Sequence, residues 1–413
     1  MCCLDDLLEE DHRARQVMAY VEGLDLSVLY DRIRSGRGGV GRLATDPAVL
    51  MALWLYGTLE GVGSARHLDR LCTTSLPYRW LLGGLGVNAH TLADFRVQAG
   101  DLLDDLLSRS MAALVSAGVV ALDCLAVDGV RVRASAGSGS FRRRERLETL
   151  DRLAREKVAA LRAELEADPG ADTRRAKARA VAAAEDRVRR LAAAQAACTE
   201  IAAQRAAELE RIRRKTPPKG QLPPRASTTD PQARIMAMAD GGFRPAYNVQ
   251  VKTDPKSGCV VGVAVTDRAS DRGGLGPAVA EIAQRYGVRP KRLLADGGYD
   301  GKQDIEALHG QEAGAIEVFC PVPKSKGRRV PACPQQGEGP GVIAWRDRMA
   351  GEEGFAVYRK RIATERPHAD MRNRGLLRFL VRGLEKVKAV ALWHVHAYNF
   401  LQILRLSPQP QAA

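Results

Sequence analysis

The chain has 413 residues, enough for two or three domains and a sizeable core. It carries 63 Lys and Arg against 49 Asp and Glu, a net charge of +14, and a chain this basic is expected to meet a polyanion, nucleic acid first. The longest apolar candidate, MAALVSAGVVAL (111–122), is too short to span a membrane and ends at Asp123, and the acidic start MCCLDDLLEEDHRAR does not read as a signal peptide, so a cytoplasmic protein with no membrane partner is expected.

Cys2, Cys3, Cys72, Cys124, Cys198, Cys259, Cys320 and Cys333 are scattered with no C-x-x-C pair. They suggest buried thiols rather than a disulfide framework or a zinc site. Heavy use of Ala, Arg and Gly points to a GC-rich genome, which raises the Arg count by itself and softens the charge argument.

Residues 1–118 read as helical: DPAVLMALWLYGTL (46–59), SARHLDRLCTT (64–74) and TLADFRVQAGDLLDDLLSRSMAALVSAG (91–118), the last with Thr91 near its start and Gly118 at its end. With Arg66, Arg79 and Arg96 spread across them, these helices are open to two readings, a helix-turn-helix that touches DNA or a packing domain. VVALDCLAVDGVRVR (119–133) reads as a strand that ends near Asp128, followed by a turn or a second strand.

From 141 to 215 the pattern returns to helix. Leu147, Leu150, Ala154, Val158, Leu161 and Leu165 recur at three- and four-residue steps, and ADPGAD (167–172) interrupts them. Val181, Val188, Leu191, Cys198, Leu209 and Ile212 then lie roughly on a heptad stripe, so an antiparallel helical hairpin is expected. A Pro-rich basic link follows, KTPPKGQLPPR (215–225).

Residues 226–325 read as α/β. FRPAYNVQVKTD (243–254) and CVVGVAVTD (259–267) are strands, GLGPAVAEIAQRYG (274–287) is a helix, and KRLLADGGYD (291–300) is a short buried strand ending at Asp296. After the basic loop KSKGRRVPACPQQGEGPG, residues 358–406 return to helix.

Asp128 and Asp296 thus sit at strand ends, where α/β folds place their sites, and Glu365 starts a helix. Three carboxylates from strand, strand and helix can hold two divalent ions about 4 Å apart. Oxygen ligands without His or Cys favour Mg²⁺ or Mn²⁺ over zinc.

In YRKRIATERPHADMR (358–372), helical rotation of about 100° per residue sets Arg361 about 60°, Glu365 about 20° and Arg372 about 40° from Tyr358. One acid and two cations then share a face suited to phosphates. Pro367 is tolerated only in a first turn, so the helix is expected to begin near Thr364, with Tyr358 and Arg361 on a separate element.

Four blocks resemble the bacterial insertion-sequence transposases of the DDE superfamily. They are DPAVLMALWLYGTLEGVGSARHLDRLCTTSLPYRWLLGG with HTLADFR, LAVDGVRVRASAG, RASTTDPQARIMAMADGGFRPAYNVQV leading to LLADGGYD, and the 358–372 stretch, which is similar to the family's Tyr-x2-Arg-x3-Glu-x6-Lys signature. Arg372 stands where the family often has Lys, and Val130 where Thr is usual.

The resemblance implies an α/β RNase H-like catalytic core with an all-helical N-terminal domain and an inserted antiparallel helical hairpin. Its divisions are 1–118 (helical, DNA binding or assembly), 119–140 (first part of the core), 141–215 (hairpin) and 216–406 (the rest of the core with the closing helices). Carried over, Asp128, Asp296 and Glu365 are the catalytic and metal-binding triad with two Mg²⁺ or Mn²⁺ ions, and Tyr358, Arg361 and Arg372 contact DNA. The implied partners are double-stranded DNA at the element ends and the target, and a second copy of the chain. The implied setting is the bacterial nucleoid. Two alternatives stay open: an RNase H-like nuclease without strand transfer, and a non-catalytic or domesticated DNA-binding protein.

Overall fold

The structure, a computed structural model, describes residues 5–33, 44–167, 171–211, 222–310, 314–325, 328–329 and 335–406. Cys2, Cys3, Cys333, Ile212 and residues 215–221 of the Pro-rich link lie outside the described residues.

Three of the N-terminal helices begin where a short polar side chain takes up a free N–H group of the first turn. After α1 (Arg13–Glu22) and the single turn α2 (Ser27–Tyr30), Asp46 caps α3 (Pro47–Leu59), with Pro47 in a first-turn position that needs no N–H. Ser64 caps α4 (Ala65–Thr74); α5 (Leu76–Leu81) follows, and Asn88 caps α6 (Ala89–Gln98). The expected single helix over 91–118 is two, because α7 (Gly100–Ser116) starts afresh after Ala99. The break falls where the chain touches the last helix: a Cβ on Gly100 would sit 3.1 Å from the Ala389 methyl. Arg96, one of the three arginines open to either DNA contact or packing, is buried; its guanidinium lies 4.8 Å from the Trp54 ring centre and donates to the Gly63 carbonyl.

β1 (Cys124–Arg133) and β2 (Phe141–Arg142) lead into two long helices, α8 (Arg144–Ala167) and α9 (Ala171–Arg211). Leu147, Ala154, Leu191, Ala194 and Cys198 bury between them, and Arg162 Nε donates to Glu185 across the pair at 3.1 Å. β3 (Ala226–Ser227) pairs antiparallel with β2, so the two ends of this excursion meet.

Next come β4 (Arg234–Ala237), β5 (Phe243–Thr253), β6 (Val260–Thr266), α10 (Leu275–Tyr286), β7 (Arg292–Ala295), α11 (Lys302–His309) and β8 (Glu317–Phe319). In the main sheet β8, β7, β1 and β5 lie side by side, while β4 and β6 share the outer edge of β5. β1, β7 and β8 are parallel to one another, and β5 runs against β1 and β6.

The remaining helices are α12 (Pro340–Ala350), α13 (Glu352–Arg359), α14 (Glu365–Asn373) and α15 (Leu384–Leu406). Helix therefore resumes earlier than expected, at Pro340, and it breaks between α14 and α15, where Gly375 and Gly383 take φ values of 90° and 87°.

α3 and α15 are apolar on nearly every side and are buried accordingly. Their Trp54 and Trp393 rings pack 6.4 Å apart, and one continuous core runs from the first helices through the sheet to α15. A polar chain crosses the same boundary. Lys252 donates to Glu281, Arg285 bonds Glu281 and Asp104, and Lys388 reaches Asp104 at 2.6 Å. Among the described residues no helix is long and apolar enough to cross a membrane.

Candidate active site

The parallel pairing of β1 with β7 ends with Val127 opposite Ala295. Asp128 is the next residue of β1 and Asp296 is the first residue past β7, so the two acids directly follow a matched pair on neighbouring strands. Asp296 fits the expectation of a strand end: it follows β7 and opens a 3-10 turn, accepting from Gly298 N–H at 2.7 Å. Asp128 does not. β1 continues through the Asp-Gly pair to Arg133, because its other neighbour, β5, keeps pairing with it from Ala126 to Arg133. The Asp-Gly pair is a strand interior here, not a turn.

Tyr358 ends α13, Arg361 lies in a 3-10 turn over Lys360–Thr364, and Glu365 opens α14. Thr364 makes no side-chain cap; its hydroxyl donates to Arg361 O at 2.9 Å and to Asp128 Oδ2 at 3.4 Å. Arg361 joins the acids. Nη1 donates to Asp128 Oδ2 and Nη2 to Glu365 Oε1, each at 3.2 Å. Tyr358 flanks this guanidinium, its ring centre 5.9 Å from the Arg361 Cζ. Arg372 is exposed in the last turn of α14.

Burial raises the pKa of Asp128, against the opposing pull of the Gly129 N–H and Arg361. Burial also raises Asp296, with Asp128 and Asp271 adding repulsion. Burial alone would lower Arg361, but Tyr358, Asp128 and Glu365 hold its pKa above the ordinary value. Crowded, desolvated carboxylates are a place where added positive charge is welcome.

The donor chemistry fits a hard divalent cation: carboxylate oxygens from two strands and one helix. The enclosure is not complete in this arrangement. Among the described residues no three Asp, Glu, His or Cys side chains converge tightly enough to hold an ion, and Arg361 separates Glu365 from Asp128.

Sequence reasoning missed four polar side chains beside these acids. Asn248 and Gln250 on β5 point at Asp271, with Nδ2 and Nε2 donating to its Oδ1 at 2.6 and 2.7 Å. Tyr299, three residues after Asp296, donates its hydroxyl to Gln250 Oε1. The signal was present in YNVQV: a strand whose polar alternate residues are buried must bury them against polar partners. His368, one turn after Glu365, is held neutral, its pKa lowered to about 4 by burial and by Arg361 and Arg372.

Two family models match the chain. Transposase DDE domain covers residues 224–400, which include Asp296 and Glu365. Transposase domain (DUF772) covers residues 2–98, the N-terminal helices. Neither a curated protein nor a solved structure matches it. The helices α1 to α6 fall in one match and the main sheet apart from β1 falls in the other, and with two transposase models matched in order the chain belongs to the insertion-sequence DDE transposases.

Proposed function

We propose that the chain binds the inverted ends of its own element, cuts the DNA there and joins the freed 3′-hydroxyls to target DNA by in-line phosphoryl transfer. The observation that carries this reading is that Asp128 and Asp296 each directly follow the last matched pair of the adjacent parallel strands β1 and β7, with Glu365 tied to Asp128 through Arg361. The strand order, with β1 central, two parallel neighbours on one side and antiparallel strands on the other, supports an RNase H-like core. The divisions 1–118, 119–140, 141–215 and 216–406 belong to the same proposal.

Asp128, Asp296 and Glu365 would hold Mg²⁺ or Mn²⁺, which supplies Lewis-acid activation of the attacking oxygen and neutralises charge at the scissile phosphate. The chain's own residues do the rest. Arg361 offers a fixed guanidinium to phosphate oxygens, Tyr358 limits its swing, and Arg372 extends the cationic surface along α14. Joining two ends at one target calls for a pair of protomers on DNA, in the bacterial cytoplasm at the nucleoid.

The test uses a plasmid carrying the gene's own flanking DNA, purified protein and Mg²⁺, beside Glu365→Gln and Asp128→Asn. Cleaved and joined products are expected from the wild type, with a loss on the order of 10³-fold in either variant while end binding persists. Products that persist undiminished in both variants would overturn the assignment.

A further inference from the structure

The polar cluster behind the acid pair has a hub, and the hub is Asp271. Asp271 is 9% exposed, and both its oxygens are engaged. Oδ1 accepts from Asn248 and Gln250, and Oδ2 accepts from Arg131 Nη2 at 3.3 Å. Two ties link its loop to the turn that carries Asp296. One runs through Gln250 to the Tyr299 hydroxyl, and the other is Arg272 Nε on Asp300 Oδ1 at 2.7 Å.

The same hub touches β1. A Cβ on Gly129 would lie 2.5 Å from Gln250 Nε2, 2.6 Å from Asp271 Oδ1 and 2.8 Å from Asn248 Oδ1. That Asn248 oxygen is buried with no hydrogen-bond partner among the described residues, and it lies against the bare Gly129 backbone. On the other side, a Cβ on Gly298 would lie 2.9 Å from Asp296 Oδ1 and 3.3 Å from Asp271 Oδ2, so those two oxygens border one small volume. Asp271 is therefore packed against the residue after Asp128 and against the turn that follows Asp296.

We propose that Asp271 is a positioning residue of the transposase site: anchored by Asn248, Gln250 and Arg131, it fixes the spacing of Asp128 and Asp296 and adds a fixed negative charge that strengthens their hold on a divalent cation. The inference rests on the active-site reading above. It assigns a role to a carboxylate outside the triad, with both oxygens already committed to protein donors, so it acts through its neighbours rather than as a direct ligand. Outer partners of metal-binding carboxylates set ligand orientation, and their loss typically costs roughly 10–100-fold in metal affinity.

The experiment is a Mn²⁺ titration of the full-length, DNA-free protein, with free Mn²⁺ counted by electron paramagnetic resonance. Asp271→Asn keeps shape and removes charge. Tyr299→Phe keeps the ring and cuts the tie to Gln250. Asp128→Asn is the reference for a direct ligand. Thermal melts and end-DNA binding monitor folding. Asp271→Asn is expected to raise the Mn²⁺ dissociation constant roughly 10–100-fold, Tyr299→Phe by about threefold, both with end binding retained. In cleavage, excess Mn²⁺ is expected to recover much of the Asp271→Asn rate with KM for DNA unchanged, which a merely structural role does not predict. Should Asp271→Asn unfold, the Tyr299→Phe shift decides the matter. Wild-type Mn²⁺ affinity in the folded variants, beside a weakened Asp128→Asn, overturns the positioning role alone. Unchanged affinity in Asp128→Asn as well overturns the carboxylate site, and the positioning role with it.

Discussion

Gly129→Ala is the smallest change that tests the geometry around the acids. One methyl is added to the residue after Asp128, and the backbone does not object, because Gly129 is an ordinary β1 residue without a positive φ. The effect is therefore purely one of space. Ordinary contact begins near 3.4 Å, so neighbours at 2.5, 2.6 and 2.8 Å must retreat by about 0.6–0.9 Å. All three belong to buried side chains that bond one another at 2.6–2.7 Å, and such a retreat stretches those bonds beyond useful length. Overpacking costs about 1–3 kcal/mol, and weakening donors on a buried carboxylate adds a comparable amount. A total of about 3 kcal/mol, against an unfolding entropy near 2.1 cal/mol/K per residue over the 413-residue chain, lowers Tm by roughly 3–4 °C. The assay is a thermal melt by circular dichroism beside Gly137→Ala, where an added Cβ meets nothing within 4 Å. Cleavage should fall with it, since the displaced groups support both acids. A Gly129→Ala protein that melts within about 1 °C of wild type, with full activity, would refute the crowding that the argument requires.

Two further predictions concern stability away from the acids. Asn399 on α15 accepts from Val260 N–H at 2.9 Å and donates to Val260 O at 2.7 Å, closing the free edge of β6. Asn399→Leu leaves both backbone groups unpaired and should cost about 2–5 kcal/mol, read as a lower urea midpoint with faster amide exchange at Val260; an unchanged midpoint would contradict it. His394 is buried near Arg96 and Arg374, and its pKa is lowered to about 3 by burial first and then by those cations. Its folded pKa lies below the unfolded value near 6.5, so its contribution is intact above pH 6.5 and is lost as pH falls toward 3. At pH 5 the loss is about 2 kcal/mol, and His394→Gln should remove that part of the acid sensitivity in melts at pH 7.5 and pH 5; equal acid losses in both proteins would count against it.

Much of this protein was legible locally. Asp46 before Pro47, Ser64 before α4 and Gly287 after α10 mark helix ends because caps and left-handed glycines act within one turn. Pro367 located the start of α14 for the same reason, and it split Tyr358 and Arg361 from Glu365 as expected. Asp128, Asp296 and Glu365 are marked out by the family resemblance of their motifs, since order and local pattern alone would suit many of the 49 acidic residues. Tertiary pairing decided the rest. Whether Asp128-Gly129 turns or runs straight depends on β5, which is recruited from beyond the long α8–α9 excursion. By sequence Arg96 is open to a DNA-contacting or a packing role, and helix packing seats its guanidinium over Trp54 and against a backbone carbonyl. Arg361 reads from sequence as a phosphate contact, while the fold seats it between two acids. Asp271 carries no local mark at all; its place comes from amides on a strand and a phenol on a turn that meet only when the sheet closes. Short-range hydrogen bonding and steric preference are written along the chain, whereas the partner of a buried charge is chosen across it.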